Sequence, residues 1–324
     1  MNDQNQVGKV PTSKPRGRGC LWWLGRGLAV LLGLMLVGYI YESIAEAADT
    51  RAYPPPGQLV DVGGYRLHIN CTGTGSPTVV IVAGAGDWST SWGGYVQPEV
   101  AKTTRVCTYD RPGLGWSEAS PLSSDAAQFA RELHTLLQNA NVPGPYVMVG
   151  HSLGGFVVRI FAHDYASEVA GVVLIDSMNP KQVSQSLSNS LAQQYSFQAV
   201  LARFGIARLL VKLPAIAPSR PAGEEAYYPL YIRPQSLQAS AREYKELPAS
   251  AAEAAAVKSL DDLPVIVLTA KMNDNPGWPE WQTELLQLSS NSQHLFAENS
   301  GHVIQSDEPK AAIAAILQMV QQIR

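Results

Sequence analysis

The sequence predicts a doubly wound α/β domain with a mostly parallel sheet, preceded by a membrane-crossing helix. Three observations carry the prediction. Apolar and β-branched runs at 78–83, 146–149, 169–175 and 264–269 read as strands buried on both faces. Segments between them place apolar residues at helical spacing, as Phe129, Leu133, Leu136 and Leu137 do, and strands alternating with helices build a parallel sheet. In the stretch Tyr146-Val-Met-Val-Gly-His-Ser-Leu-Gly-Gly-Phe156, strand, tight turn and helix meet at a serine. A ligand site on such a sheet lies at the carboxyl ends of the strands.

The N-terminal part has its own character. Residues 1–20 form a basic tail, with Lys9, Lys14, Arg16 and Arg18 against Asp3. Residues 21–41 carry Arg26 as their one charge, which is about the length that crosses a ~30 Å hydrocarbon core as a helix. Trp22 and Trp23 stand at one boundary and Tyr39 and Tyr41 at the other, as interfacial aromatics do. Positive charge on the tail keeps it cytoplasmic, so the rest of the chain is exported. A cleaved signal peptide ending at Ala45-Glu46-Ala47 is the alternative. The long basic region and long apolar run favour an uncleaved signal anchor. Residues 42–57, with Tyr53-Pro-Pro-Pro-Gly57, read as a linker.

Composition narrows the function. Net charge is −3 with no basic patch past the N-terminus, so nothing favours nucleic acid. The three cysteines, Cys20, Cys71 and Cys107, form no CxxC pair and so suggest no thiolate metal site.

From residue 58 to 324 the elements follow in order. Residues 58–62 and 65–71 alternate in polarity around Gly63-Gly64 and predict a hairpin. The run 78–83 ends in Gly84-Ala85-Gly86; no third glycine follows at dinucleotide-site spacing. A strand at 105–109 precedes Asp110-Arg-Pro-Gly-Leu-Gly-Trp-Ser117, and Asp125 caps the next helix. Residues 177–262 break the rhythm and read as a helical lid insertion, with Pro-rich joints at 214–221. Alternation resumes with the strand 264–269 and ends with a strand at 294–297, Ser300-Gly301-His302 and a helix from Pro309.

Gly150-His-Ser152-Leu-Gly154 between strand and helix is the nucleophile-elbow pattern. With the glycine loop at 84–86, the Asp110–Ser117 stretch and the late Gly301-His302, it makes residues 58–324 resemble the α/β-hydrolase family. The resemblance implies Ser152 as nucleophile and His302 as its base. His68 and His294 fall in strands and His134 and His163 in helices, where a structural role is expected; His151 adjoins the serine but leaves the turn in another direction. Two residues compete for the acid. Most of the family carries it after the strand that follows the insertion, where Asp274 stands about one position late; a minority carries it after the preceding strand, where Asp176 stands. Asp176 is preferred. The amides of Leu153 and Ala85 are the expected oxyanion donors, and Asp110 and Arg111 are expected to serve architecture. Family strand order would make the strands of Cys71 and Cys107 neighbours, implying a disulfide in an exported domain, with two buried thiols as the alternative.

The implied activity is that of a serine esterase or lipase needing no metal or cofactor. Lid residues Phe197, Leu201, Phe204, Leu209, Leu210, Tyr227 and Tyr228 suggest a small hydrophobic or amphiphilic ester. Amidase, thioesterase or peptidase chemistry would use the same triad, and a non-catalytic binding protein on the same fold is the reading from another class.

Overall fold

The computed structural model describes residue 8, residues 18–211 and residues 227–324. The rest of the basic tail and the Pro-rich joints at 214–221 lie outside the described residues. Among those described, eight strands form one sheet in the order β1-β2-β4-β3-β5-β6-β7-β8. β1 (Gln58–Asp61) and β2 (Arg66–Thr72) make the antiparallel hairpin at one edge, and β2 pairs antiparallel with β4 (Val106–Tyr109). β3 (Thr78–Val82), β5 (Tyr146–His151), β6 (Val169–Ile175), β7 (Val265–Ala270) and β8 (Ser292–Ala297) join β4 in a parallel array.

Alternation along the strands explains why they are apolar on both sides. Val80, Val82, Met148 and Leu174 face one core, filled by Phe129 and Leu133 of a helix at Ala126–Asn139 and by Phe156 and Val157 of a helix at Gly154–Asp164. Val79, Ile81, Val149 and Ile175 face the other, against Trp92, Val96, Ile316 and Met319. The helices, in chain order, are α1 (Arg18–Ala52), α2 (Thr90–Gly93), α3 (Val96–Val100), α4 (Ala126–Asn139), α5 (Gly154–Asp164), α6 (Gln185–Arg203), α7 (Ile206–Leu210), α8 (Tyr228–Tyr231), α9 (Pro234–Ala256), α10 (Trp278–Leu285), α11 (Ile304–Asp307) and α12 (Pro309–Ile323). Asp125 starts α4 by accepting from the Gln128 amide at 2.8 Å, as a capping carboxylate does.

The described part of the segment between β6 and β7 is helical, comprising α6 to α9. It is not all lid. Leu247, Ala251 and Ala254 of α9 belong to the main core. Ser250 Oγ and Glu253 Oε2 of the same helix accept the Ala126 and Ala127 amides at 2.9 Å each, satisfying unpaired donors at the start of α4. The second half of α9 is therefore fixed to the body.

The N-terminal helix also differs from expectation. α1 does not stop at Tyr41 but continues unbroken to Ala52. Residues 42–52 hold no glycine or proline and include four alanines, so nothing ends the helix until the chain nears Pro54, which disfavours helix at the preceding residue. The helix is about 52 Å long. Its stretch Leu21–Ala52 has a mean hydropathy of 1.9 in its most apolar window, and Leu21, Leu28, Leu32 and Leu36 are exposed.

Cys71 and Cys107 are register partners across β2 and β4 and are joined by a disulfide, with a Cα–Cα distance of 4.0 Å. The bridge closes a loop over a sequence separation of 36, which removes about 4 kcal/mol of denatured-state entropy in the chain-entropy description. The double substitution Cys71→Ala/Cys107→Ala is therefore expected to lower unfolding free energy by about that amount. Urea unfolding of the two full chains in the same detergent checks this; a difference near zero would remove the bridge as a stabiliser.

Candidate active site

β5 ends at His151 and α5 begins at Gly154, so the chain must reverse within Leu153 and Ser152. Ser152 takes φ +51°, a left-handed conformation that costs a side-chain-bearing residue about 1–2 kcal/mol. The two glycines flanking it are steric necessities. A Cβ at Gly150 would stand 2.6 Å from the Gly154 carbonyl oxygen, and one at Gly154 would stand 2.2 Å from that of Val82. Ser152 is nearly buried and opens on a cavity of about 790 Å³ that Ala85, Met178, Leu191, Tyr195 and His302 also line.

Asp176 follows β6 directly, at φ +39° and with no exposure. Because His151 pairs with Ile175 in the β5–β6 register, Ser152 and Asp176 leave neighbouring strands at the same level. Four groups donate to the carboxylate: the Ala270 amide at 2.9 Å and Trp278 Nε1 at 2.8 Å to Oδ1, Asn273 Nδ2 at 2.9 Å and His302 Nδ1 at 2.7 Å to Oδ2. His302 comes from the loop after β8, and its side chain is 37% exposed at the cavity. The hydrogen bonds of the described residues include none between Ser152 Oγ and His302; in unliganded sites this bond commonly tightens only with substrate.

Asp274, the alternative acid, is exposed and takes no part in this cluster. The position before it does: Asn273 is buried and turned onto Asp176. The strand end that would carry the acid in most of the family thus supplies an amide to hold an acid on the neighbouring strand. Ala85 lines the cavity and Leu153 heads α5, where backbone amides lack helical acceptors.

Arg111, expected to be architectural, is buried and donates to the carbonyls of Ala83 (2.6 Å), Gly84 (2.5 Å) and Asp87 (3.3 Å), and through Nε to Glu243 Oε1 at 2.7 Å, a partner not singled out from the sequence. Glu243, on α9, also accepts the Gly86 amide at 2.7 Å. One buried ion pair therefore ties the lid insertion to the loop that carries Ala85. Asp110 is architectural as expected: it pairs with His68 at 2.9 Å and accepts the amides of Ser89 and Trp116. Both ring nitrogens of His68 face acceptors, Asp110 and the Pro56 carbonyl. Burial opposes its charge, but these two partners raise its pKa. His151 donates from Nε2 to the carbonyl of His302 at 2.9 Å, and burial, reinforced by His302, holds it neutral. No periodicity or spacing marks Glu243 or Asn273; each acts through a partner far along the chain.

The lid residues divide. Tyr228 lines the cavity that holds Ser152, and Leu201 and Leu210 line an adjoining one of about 470 Å³ that shares Tyr195, Tyr228 and Tyr231 with it. Phe197 and Leu209, expected to shape the pocket, face outward and are 64% and 56% exposed.

The chain belongs to the α/β-hydrolase family: the model of the Alpha/beta hydrolase family matches residues 79–316. It is 27% identical over 312 residues to an uncharacterized protein of Schizosaccharomyces pombe, covering 85% of this chain and 57% of that protein. YqjL of Bacillus subtilis is 25% identical over 249 residues, covering 75% of this chain and 83% of its own. The chain thus spans little more than half the length of the fission-yeast relative. Among solved structures, a thermophilic esterase from Thermogutta terrifontis superposes with a TM-score of 0.65 at 21% identity, covering 82% of this chain and 98% of its own. The haloalkane dehalogenase DatA from Agrobacterium tumefaciens C58 gives 0.65 at 17% identity, with coverages of 82% and 96%. These likenesses concern the fold.

Breaking a buried ion pair by removing one partner costs about 3–5 kcal/mol, because the other charge is left uncompensated. Glu243→Ala is expected to destabilise the protein by that order. Thermal unfolding of full-length wild type and variant reads it, and an unchanged midpoint would mean the pair does not hold the lid insertion to the sheet.

Proposed function

We propose that this α/β-hydrolase cleaves carboxylic esters through an acyl-enzyme on Ser152, with its catalytic domain on the exported side of the membrane that α1 crosses. The observation that carries the reading is the 2.7 Å bond from His302 Nδ1 to the buried Asp176, at the wall of the cavity that holds Ser152. A hydroxyl is a weak nucleophile until a base takes its proton. With Nδ1–H given to Asp176, the lone pair of His302 is on Nε2, free to accept the Ser152 proton as Oγ attacks the ester carbonyl. Asp176 offsets the charge of the imidazolium.

The carbonyl oxygen becomes an oxyanion, which the amides of Leu153 and Ala85 receive; one such donor is worth about 3–4 kcal/mol. The imidazolium then protonates the departing alcohol. A water, deprotonated by the same histidine, cleaves the acyl-enzyme to release the acid and restore the serine. Met178, Leu187 and Leu191 along the cavity suit an apolar acyl chain or alcohol. A serine at the elbow also separates this chain from members of the fold whose covalent chemistry uses an aspartate there.

Labelling of the full chain by a fluorophosphonate probe is expected in wild type and absent in Ser152→Ala. Turnover of p-nitrophenyl esters is expected to fall by about 10⁴ in Asp176→Asn, through the wrong imidazole tautomer, and to stay unchanged in Asp274→Asn. A folded wild-type chain that neither labels nor turns over any ester would sink the reading in favour of a binding protein.

Leu191→Trp tests the pocket assignment separately. The larger side chain narrows the catalytic cavity, so the preferred acyl length in a p-nitrophenyl series should shorten. An unaltered chain-length profile would place the acyl group elsewhere.

A further inference from the structure

The outer end of α1 is packed against the lid. A Cβ added at Gly38 would meet the Phe204 carbonyl oxygen at 2.4 Å, and one added at Gly205 would meet the Tyr41 ring at 2.7 Å. The two segments approach as closely as their glycines permit. Arg208 of α7, nearly buried, donates from Nε and Nη2 to Glu42 at 3.0 and 2.8 Å, and its Nη1 lies 2.9 Å from Asp49 Oδ2. Glu42 and Asp49 stand on one side of α1 about two turns apart, and the guanidinium bridges them. Arg233, just before α9, adds a 3.2 Å bond to Thr50 Oγ1.

These contacts set the height of the lid relative to the bilayer. The apolar run 21–41 ends at Tyr41, and Glu42 begins the polar part of the helix. Phe204 and Gly205 touch Gly38 and Tyr41, so the end of α6 and the start of α7 lie level with the outer boundary of the apolar run. Within two turns of that contact along α6 and α7, four large apolar side chains are exposed: Phe197 (64%) and Val200 (51%) on α6, Ile206 (37%) and Leu209 (56%) on α7. Each pair has i, i+3 spacing, which puts its members on one face of their helix. Exposed large apolar groups on adjoining helices are what an interaction surface offers, and α1 brings a lipid surface to this one.

We propose that the outer face of α6 and α7 docks into the headgroup–acyl boundary of the bilayer that α1 crosses, making the lid a second membrane contact. The mouth of the catalytic cavity is on the same helix. Leu187, 58% exposed, lines that cavity and lies about 15 Å before Phe197 along α6. Docking therefore ties the helix that borders the mouth to the interface, with the mouth residue Leu187 about 15 Å along α6 from Phe197, and the substrate class is an ester resident in the leaflet rather than one dissolved in water. The proposal rests on residues 21–41 spanning the membrane and, for the substrate, on the ester-hydrolase reading.

The test uses the full chain in phosphatidylcholine vesicles, with Cys20→Ser to remove the remaining cysteine outside the disulfide. An NBD fluorophore is attached at Phe197→Cys, at Leu209→Cys, or at Gln321→Cys as comparator. Gln321 is exposed near the end of α12, where Arg324 bonds to Ser76 just before β3, the side of the sheet away from the lid. Lipids with doxyl groups on the acyl chain should quench positions 197 and 209 and spare 321, while aqueous iodide should do the reverse. Iodide quenching of 197 and 209 equal to that of 321 would overturn the docking. For the substrate, Phe197→Asp/Leu209→Asp should reduce turnover of a long-chain ester carried in the vesicles by about tenfold or more, with hydrolysis of soluble p-nitrophenyl butyrate unchanged. No loss on the vesicle ester, or equal loss on both, would overturn it. The quenching needs no turnover, so an inert wild type would refute the esterase reading and leave the docking decided on its own data.

Discussion

Taking a carboxylate out of water costs several kcal/mol unless its lone pairs are satisfied, and Asp176 is wholly buried at the centre of this site. The donors that satisfy it come from three places: the end of β7 through the Ala270 amide and Asn273, α10 through Trp278, and the loop after β8 through His302. None of these segments adjoins Asp176 in sequence. Removing the carboxylate would therefore remove the side-chain hydrogen bonds that converge on the carboxyl ends of three successive strands. The same demand fixes His302: its Nδ1 proton is committed to Asp176, so Nε2 is left as the acceptor. His151 adds a second hold on that loop by donating to the backbone of His302.

Backbone strain falls on the proposed nucleophile and acid. Ser152 and Asp176 both take positive φ at the ends of adjacent strands. In each case a side chain is turned out of the sheet instead of continuing the pleat. At Ser152 the strain is tolerated because Gly150 and Gly154 let the turn close against the Val82 and Gly154 carbonyls, and because the strands beneath are packed on both faces. At Asp176 the hydrogen bonds to the carboxylate over-determine the position.

The general plan was legible in the sequence because it rests on local patterns. Apolar runs gave the strands, helical spacing the helices, and the paired glycines the elbow. Ser152 and His302 could be named because each follows a strand in a recognisable turn. Spacing did not choose between Asp176 and Asp274 as the proposed acid, since both follow strands; the two differ in burial, with Asn273 turned inward and Asp274 facing water. The Arg111–Glu243 pair was hidden for a similar reason, as it joins residues 132 positions apart. Residues 42–57 were read as a linker on the strength of Tyr53-Pro-Pro-Pro-Gly57, but those prolines end the helix only at Ala52. Phe197 and Leu209 were assigned to the pocket from their apolar character, which does not distinguish the inner from the outer face of a lid.

That last distinction matters for how the lid can work. α9 is bound to the loop of Ala85 through Glu243 and to α4 through Ser250 and Glu253, while α7 is bound to α1 through Arg208. Swinging the insertion away as one body would break the hydrogen-bonded ion pairs Arg111–Glu243 and Arg208–Glu42 at both ends. Access to Ser152 is better explained without such a movement. Leu187 at the start of α6 and Val303 after β8 both line the cavity and reach solvent, so the cavity already has an opening between them. A lid pinned in this way acts as a fixed wall, setting what fits and which surface the opening faces.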